Sequence, residues 1–222
     1  STSVNYINKV GEFNLSQGTG FKIPSFYALN NGLVGDTSLV PETNLSRSLS
    51  YNKEISDSNI FNFLVNRTEY KNLINYSGSK FKMVNENIVV NDQYITSIES
   101  KINDKIIFKN SINFLESNIK DSSDELRKIP EYKLLSSVVY NNKNDIFHIT
   151  LKSVGKSFDS SIPTGNDHLD SYEVFDTSYK KMINKNNYFK LTIENIFDKK
   201  YQKSIGFNNN DRNFNISYLA NF

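Results

Sequence analysis

The chain has 222 residues and a mass of 25.5 kDa, with 26 basic and 24 acidic side chains for a formal net charge of +2. The charges are interspersed and form no arginine-rich stripe, so no nucleic-acid footprint is present, and the lack of cysteine excludes a disulfide framework or a thiolate metal site. Mean hydropathy is −0.51 and no apolar run approaches the ~18–20 residues of a spanning helix, which excludes a transmembrane helix but not a membrane barrel.

A barrel strand needs only about 9–11 residues, apolar at alternate positions, so its average hydropathy resembles that of a soluble strand. The 16 Phe and 13 Tyr favour strands and suit the aromatic girdles of barrels. The chain opens Ser1-Thr2-Ser3-Val4, without Met or an apolar leader, as a processed or internal segment would.

In chain order, a short polar turn at Lys9–Gly11 is followed by a long loop over Gly20–Thr43. After a turn at Ser56–Ser58, Phe61, Phe63 and Val65 alternate with Asn62 and Asn66, and a second loop is predicted at Lys71–Lys80. A turn at Asn103–Asp104 precedes Ile106, Phe108, Ile112 and Phe114, which share a face against Lys109, Ser111 and Asn113; a loop over Asn118–Ile129 follows. Beyond the turn at Asn142–Asn144, Phe147, Ile149 and Leu151 alternate with His148, Thr150 and Lys152, leading to a loop at Asp159–His168. The turn at Asn184–Asn187 introduces Phe189, Leu191 and Ile193 against Lys190, Thr192 and Glu194, before a last loop at Lys199–Asp211. Phe214, Ile216, Tyr218, Ala220 and Phe222 then share one face, broken only by Leu219.

This is period two throughout, with short turns at one end and long loops at the other. It predicts an all-β, antiparallel up-and-down arrangement of about eleven strands. Period two alone fits a soluble β-sandwich as well as a membrane barrel. The long strands and the aromatic ending favour the transmembrane β-barrel.

No catalytic constellation stands out. His148 lies on a polar strand face and His168 in a loop beside Asp167 and Asp170. Asp121, Asp124 and Glu125 lack the ordered oxygen ligands of a calcium loop. No nucleophile elbow, P-loop or zinc-binding helix occurs. The sequence thus predicts no enzyme, no cofactor and no metal. Ligand contacts are expected in the long loops: Phe26, Tyr27, Tyr76, Tyr201 and Phe207 as apolar surface, with Asn30, Asn208 and Arg212 as donors. Lys109, His148, Lys152, Lys190 and Glu194 are expected to line the lumen, because a Lys or Arg at the lipid midplane costs about 2–4 kcal/mol.

Several segments resemble TonB-dependent outer-membrane receptors. Gly18-Thr19-Gly20-Phe21-Lys22-Ile23-Pro24-Ser25 is similar to that family's GTGFKAPS stretch, and Leu39-Val40-Pro41-Glu42-Thr43 to its LKPE(T/S). Leu126-Arg127-Lys128-Ile129-Pro130 resembles L-x-R-x-P, and Ile193 to Tyr201 resembles V-x-N-L-F-D-K-x-Y. Gly206, Arg212, Tyr218 and Phe222 resemble the final loop, the last strand and its C-terminal assembly signal. The family's G-(V/I)-E is replaced by Ser97-Ile98-Glu99.

The resemblance, which is nearest to vitamin B12 (cobalamin) receptors, implies that residues 1–222 form a single partial domain. That domain would be the C-terminal half of a 22-stranded barrel, with no counterpart of the plug. It implies active import of a scarce large solute, cobalamin or an iron–siderophore, across the bacterial outer membrane. The implied partners are membrane lipid, the missing plug and barrel half, the TonB energy-coupling complex acting through the plug, and the barrel-assembly machinery, with no nucleic acid. The competing class is a soluble β-sandwich ligand-binding module. It predicts a monomer soluble without detergent that tolerates Phe214→Asp or Ile216→Asp; the barrel predicts detergent dependence and loss of assembly on deleting Phe222. Solubility and folded yield of these variants separate the two.

Overall fold

The computed structural model describes residues 1–161, 165–209 and 211–220, so Phe222 lies outside the described residues. The chain forms β1 (Thr2–Asn8), β2 (Gly11–Lys22), the short helix α1 (Phe26–Asn30), β3 (Glu42–Ser56), β4 (Asn59–Ser77) and β5 (Lys82–Asn103). It continues through β6 (Ile106–Ile119), β7 (Tyr132–Asn142), β8 (Asp145–Val154), β9 (Ser157–Ser161) and β10 (Gly165–Leu169). The last elements are β11 (Tyr172–Met182), β12 (Asn187–Glu194), β13 (Gln202–Ser204), β14 (Phe207–Asn208) and β15 (Asn213–Ala220). An eleven-stranded sheet runs in the order β1-β2-β3-β4-β5-β6-β7-β8-β11-β12-β15, and β9/β10 and β13/β14 are two separate hairpins. Every pairing is antiparallel. The meander and the strand number agree with the sequence pattern.

Asparagine sets several of the short turns. Asn8 Oδ1 accepts from the Val10 and Gly11 N–H groups, Asn103 Oδ1 from Lys105 and Ile106, and Asn184 Oδ1 from Asn186 and Asn187. Each is an Asx turn, in which the side chain substitutes for a backbone carbonyl and fixes where the next strand begins. Gly11 is needed for space: a Cβ there would lie 2.5 Å from the Tyr51 ring, whose hydroxyl donates to the Val10 carbonyl at 2.9 Å.

The registers carry one face across the whole sheet. Val4 pairs with Leu15, Leu15 with Leu49 and Leu49 with Val65. Val138 pairs with Ile149, Ile149 with Thr177, Thr177 with Ile193 and Ile193 with Phe214. This apolar face is the more exposed one: Leu15, Phe147 and Ile149 are open, whereas Asn14, Ser16, His148 and Thr150 opposite are half-buried. Near the short turns it carries an aromatic band in which Tyr51 packs on Phe13 at 4.8 Å and Tyr179 stacks on Phe147 at 4.5 Å. Among the described residues no second sheet covers it. A contiguous open apolar face of this extent is far larger than a soluble monomer tolerates.

The other face is polar and internally bonded. Ser16 shares a hydrogen bond of 2.6 Å with Ser48, Ser46 donates to Asn66 at 2.8 Å, Asn62 to Ser97 at 3.2 Å, and Ser117 to Asn91 at 2.8 Å. The core is small and sits at the loop end of this face. There Leu126 folds over Val89 and Ile119, with Tyr70, Leu73 and Ile129 around them.

Two sequence expectations need correction. The stretch Lys71–Lys80 is not a loop: Leu73–Ser77 continue the ladder with Lys82–Glu86, and β5 reaches 22 residues. The left-handed Asn72 (φ 56°) and the Asn-rich composition hide this continuation from a periodicity search. The loops at Asp159–His168 and Lys199–Asp211 contain the β9/β10 and β13/β14 hairpins.

Ile149 tests the environment of the apolar face. In lipid, Ile149→Lys costs about 2–4 kcal/mol, whereas at a water-exposed site it costs less than about 0.5 kcal/mol. Urea titration of the refolded protein in lipid and in aqueous buffer reads the difference.

Candidate functional site

The long connections gather at one end of the sheet and are bonded to one another. Pro24 follows the end of β2, and Ser25 caps α1 by accepting from the Ala28 N–H at 3.1 Å. The connection carrying α1 then docks on the tall β4–β5 pair: Val34 O accepts from Met83 N at 2.6 Å, and Asn85 exchanges hydrogen bonds with the Val40 backbone. Lys82 bonds Asp36 at 2.8 Å and, with Ser38, holds the Asp36 carboxyl well below the usual carboxylate range. Pro41 releases the chain into β3, where Glu42 is buried, accepting from Ile74 N at 2.9 Å and pairing with Lys22 at 3.3 Å.

The next junction is centred on Asp159, which is 1% exposed. Its carboxylate accepts from Arg127 Nε at 2.9 Å, Ser160 N at 2.9 Å and Ile205 N at 3.0 Å. Arg127 lies over the Tyr76 ring at 5.0 Å. Tyr76, Arg127, Asp159 and Ile205 therefore connect four successive loop-end segments. Burial pushes the Asp159 carboxyl up, but the Ile205 and Ser160 N–H groups and Arg127 together hold it below its ordinary value.

The Asn195–Asp198 segment forms a clasp below the last connection. Asn195 (φ 52°) and Asp198 (φ 53°) are both left-handed, a conformation that Asn and Asp tolerate better than most residues. Asn195 Oδ1 accepts from Lys199 N at 2.8 Å while its Nδ2 donates to Lys199 O at 3.0 Å, and its N–H donates to Asp176 at 2.8 Å. Asp198 accepts from Arg212 N at 2.8 Å, the leading reason its carboxyl is lowered, and this closes the chain into β15.

Beside the clasp, on the polar face, lies a cleft of about 290 Å³ lined by Lys152, Tyr172, Asp176, Glu194, Tyr201 and Lys203, among others. Tyr172 and Tyr201 stack at 4.1 Å, and burial raises the Tyr201 phenol above its ordinary value. The cleft thus offers an aromatic platform between ammonium and carboxylate groups. Among the described residues no group of three or more His, Asp or Glu is placed to hold a metal ion.

The registers put Lys109, His148, Lys152, Lys190 and Glu194 on the same polar face. Lys109 pairs with Glu99 at 2.7 Å, Lys152 bonds Asp176, and His148 contacts Thr150 at 3.2 Å. The loop candidates divide. Phe26, Tyr27 and Phe207 are open to solvent, and Asn30 bonds back to the Phe26 carbonyl. Asn208 accepts from Gln202, and Arg212 donates to the Ile196 carbonyl and lies over Phe214. Tyr76 is buried in β4 under Arg127, so it supports the loops instead of facing solvent. Tyr218 is exposed on the apolar face of β15. Sequence reasoning missed Glu42, Asp159 and Tyr172. Glu42 stands in the L-x-P-E segment, which was a usable signal; Asp159 and Tyr172 carry none without the tertiary pairing.

Asp159→Asn leaves Arg127 without its counter-charge. At pH 7, hydrogen-exchange protection of the Ile205 and Ser160 amides should fall about tenfold or more, about 1.4 kcal/mol. Because the folded value is depressed, the stabilisation is complete above the ordinary Asp value of about 3.9 and is lost as pH falls through the folded value. The wild-type advantage over Asp159→Asn should therefore vanish only below the ordinary Asp range.

No protein-family profile matches the chain. Among curated proteins it is similar to the vitamin B12 transporter BtuB of Vibrio cholerae serotype O1, with 27% identity over 218 aligned residues covering 91% of this chain and 34% of the relative. The chain therefore spans about one third of the length of the curated relatives it matches. Among solved structures, the copper transporter OprC superposes with a TM-score of 0.84 at 13% identity, over 99% of this chain and 38% of that one. The ferric enterobactin receptor PfeA of Pseudomonas aeruginosa gives 0.80 at 18% identity, over 98% and 40%. The siderophore receptor PirA of Acinetobacter baumannii gives 0.78 at 15%, over 99% and 40%. In fold the chain is an eleven-stranded portion of such a barrel wall, and in sequence it resembles the C-terminal part of TonB-dependent receptors of the vitamin B12 kind.

Proposed function

We propose that the chain is part of the wall and outer mouth of an outer-membrane importer, energised through TonB, that takes up a scarce bulky solute such as a cobalamin or a ferric siderophore. The observation that carries this reading is the inverted sheet: its apolar face is open, its polar face is hydrogen-bonded, and its long connections are tied together at one end. Similarity over 91% of the chain to a vitamin B12 transporter supports it, as does the likeness in fold to metal-chelate receptors. A soluble sandwich would need a second apolar layer over the open face. The chain acts as a transport element and not as an enzyme.

In this reading residues 1–222 are one partial domain, and a plug and further strands are supplied outside them. The connected loops and the Tyr172–Tyr201 platform receive the solute. Lys109, His148, Lys152, Lys190 and Glu194 face the plug, whose displacement by the energy-coupling complex opens the lumen. Phe26, Tyr27, Asn30, Phe207, Asn208 and Arg212 surround the entrance, and Tyr76 acts from beneath. Tyr218 and Phe222 present the terminal strand to the barrel-assembly machinery.

The test is solute binding by the intact protein that contains this chain, in detergent, with cyanocobalamin and ferric enterobactin as probes. Tyr201→Ala should weaken one of them about tenfold, about 1.4 kcal/mol, with the fold retained. Failure to bind either probe, or equal affinity in the variant, would overturn the assignment of this cleft.

A further inference from the structure

A second, smaller pocket lies at the loop end, between the outer end of the β4–β5 pair and residues 123–125, and shares no residue with the cleft beside the clasp. Its volume is about 110 Å³, and its lining includes Tyr76, Ser77, Ser79, Glu86, Asp124 and Glu125. Tyr76 and Ser77 are buried, Glu86 is half-buried, and Asp124 and Glu125 are exposed. Hydroxyls therefore form the floor and carboxylates the rim.

The Tyr76 hydroxyl has no use in the fold. Tyr76 is 9% exposed, and its phenolic oxygen is enclosed without a hydrogen-bond partner. A buried hydroxyl left unpaired is destabilising, and it marks a place where another molecule completes the bond. Ser77 shares a hydrogen bond of 3.0 Å with Ser79, which reaches Asp124 at 3.5 Å. The carboxylates lack cations as well. Among the described residues, Glu86, Asp124 and Glu125 form no ion pair with Lys or Arg. Glu86 accepts from the neutral Asn75 at 3.4 Å, and Glu125 faces His168 at 3.6 Å. Arg127, over the Tyr76 ring, is committed to Asp159.

We propose that this pocket binds a primary ammonium group on a short alkyl stem, carried by an arm of a solute at the mouth or by a free polyamine. An ammonium has three N–H donors and no acceptor, so it can donate to the Tyr76 oxygen and to the carboxylates at the rim together. The volume takes such a head and a few methylenes against Phe158, and not a whole bulky solute. Calcium fits less well: it needs roughly six to eight oxygen ligands, and among the described residues no three acidic or His side chains are placed to hold a metal ion. The proposal does not require the importer reading.

The test is calorimetry on the intact protein that contains this chain, in detergent at pH 7. The probes are ferrioxamine B, a hydroxamate chelate ending in a pentylammonium arm, its N-acetylated form, which lacks the charge, and cadaverine. The wild type should bind ferrioxamine B about tenfold more tightly than the acetylated form. Asp124→Asn/Glu125→Gln should bring the two within about twofold of each other. Tyr76→Phe, which removes the unpaired hydroxyl alone, should lower the preference about threefold and, without ligand, melt no lower than the wild type. The charge-matched control Asp57→Asn/Asp104→Asn, in the short turns, should keep the full preference.

A preference for ferrioxamine B that cadaverine does not compete away assigns the pocket to a solute arm. Cadaverine bound with no preference between the chelates assigns it to a free polyamine. Neither result, or the same loss in the control variant, would overturn the proposal. So would a Tyr76→Phe variant that melts lower and keeps the full preference, which marks the hydroxyl as structural. Displacement of the amine by calcium chloride but not by sodium chloride of equal ionic strength would overturn it in favour of a metal site. Cyanocobalamin and ferric enterobactin carry no ammonium group, so their binding, which tests the importer reading, should be unchanged in Asp124→Asn/Glu125→Gln. An equal loss there would mark general damage to the mouth and overturn the assignment.

Discussion

Register is the constraint on which the rest of this structure depends. In a single-layer sheet each backbone N–H and C=O must find its partner on an adjacent strand, and in a lipid environment no water is available to replace a missed one. A slip of one residue would also exchange the two faces, turning Asn14, Ser16 and His148 outward and Leu15, Phe147 and Ile149 inward. The Asx turns at Asn8, Asn103 and Asn184 prevent such slips because each fixes the first hydrogen bond of its hairpin. From those starting points Leu15, Leu49 and Val65 fall in one cross-strand row, and Val138, Ile149 and Ile193 in another, without further instruction.

Much of this was legible because alternation is a local property. Phe147, Ile149 and Leu151 against His148, Thr150 and Lys152 identify a strand and its two faces from six consecutive residues. The motif segments were legible for the same reason: Pro24, Pro41 and the Asn195–Asp198 turn act on the backbone beside them. What escaped notice depends on distant partners. The outward continuation of β4 and β5 is held by pairing of Leu73–Ser77 with Lys82–Glu86, in a stretch whose own composition suggests a loop. Asp159 looks like any loop aspartate until Arg127 and Ile205 are brought to it, and Tyr172 acquires its stacking partner only when Tyr201 folds back.

The two ends of the sheet are therefore stabilised by different physics. At the turn end, aromatic contacts such as Phe147–Tyr179 and local Asn hydrogen bonds suffice, and each hairpin is nearly self-contained. At the loop end, the buried carboxylates of Glu42 and Asp159 are matched to N–H groups and cations from other segments, Glu42 to Ile74 and Lys22 and Asp159 to Arg127 and Ile205, and the half-buried Asp36 is matched to Lys82. A buried carboxylate is costly unless its lone pairs are used, so each demands a particular arrangement of its neighbours.

The Tyr76–Arg127–Asp159–Ile205 succession has a mechanical meaning as well. Its contacts are arranged in series, so a force applied to the connection after β12 passes sideways through Asp159 and Arg127 into the long β4–β5 pair. It is not borne by the short β12 and β15 alone. The stiffness of the mouth is then set by its most compliant contact, the cation–aromatic step between Arg127 and Tyr76, and not by the number of hydrogen bonds in the wall below.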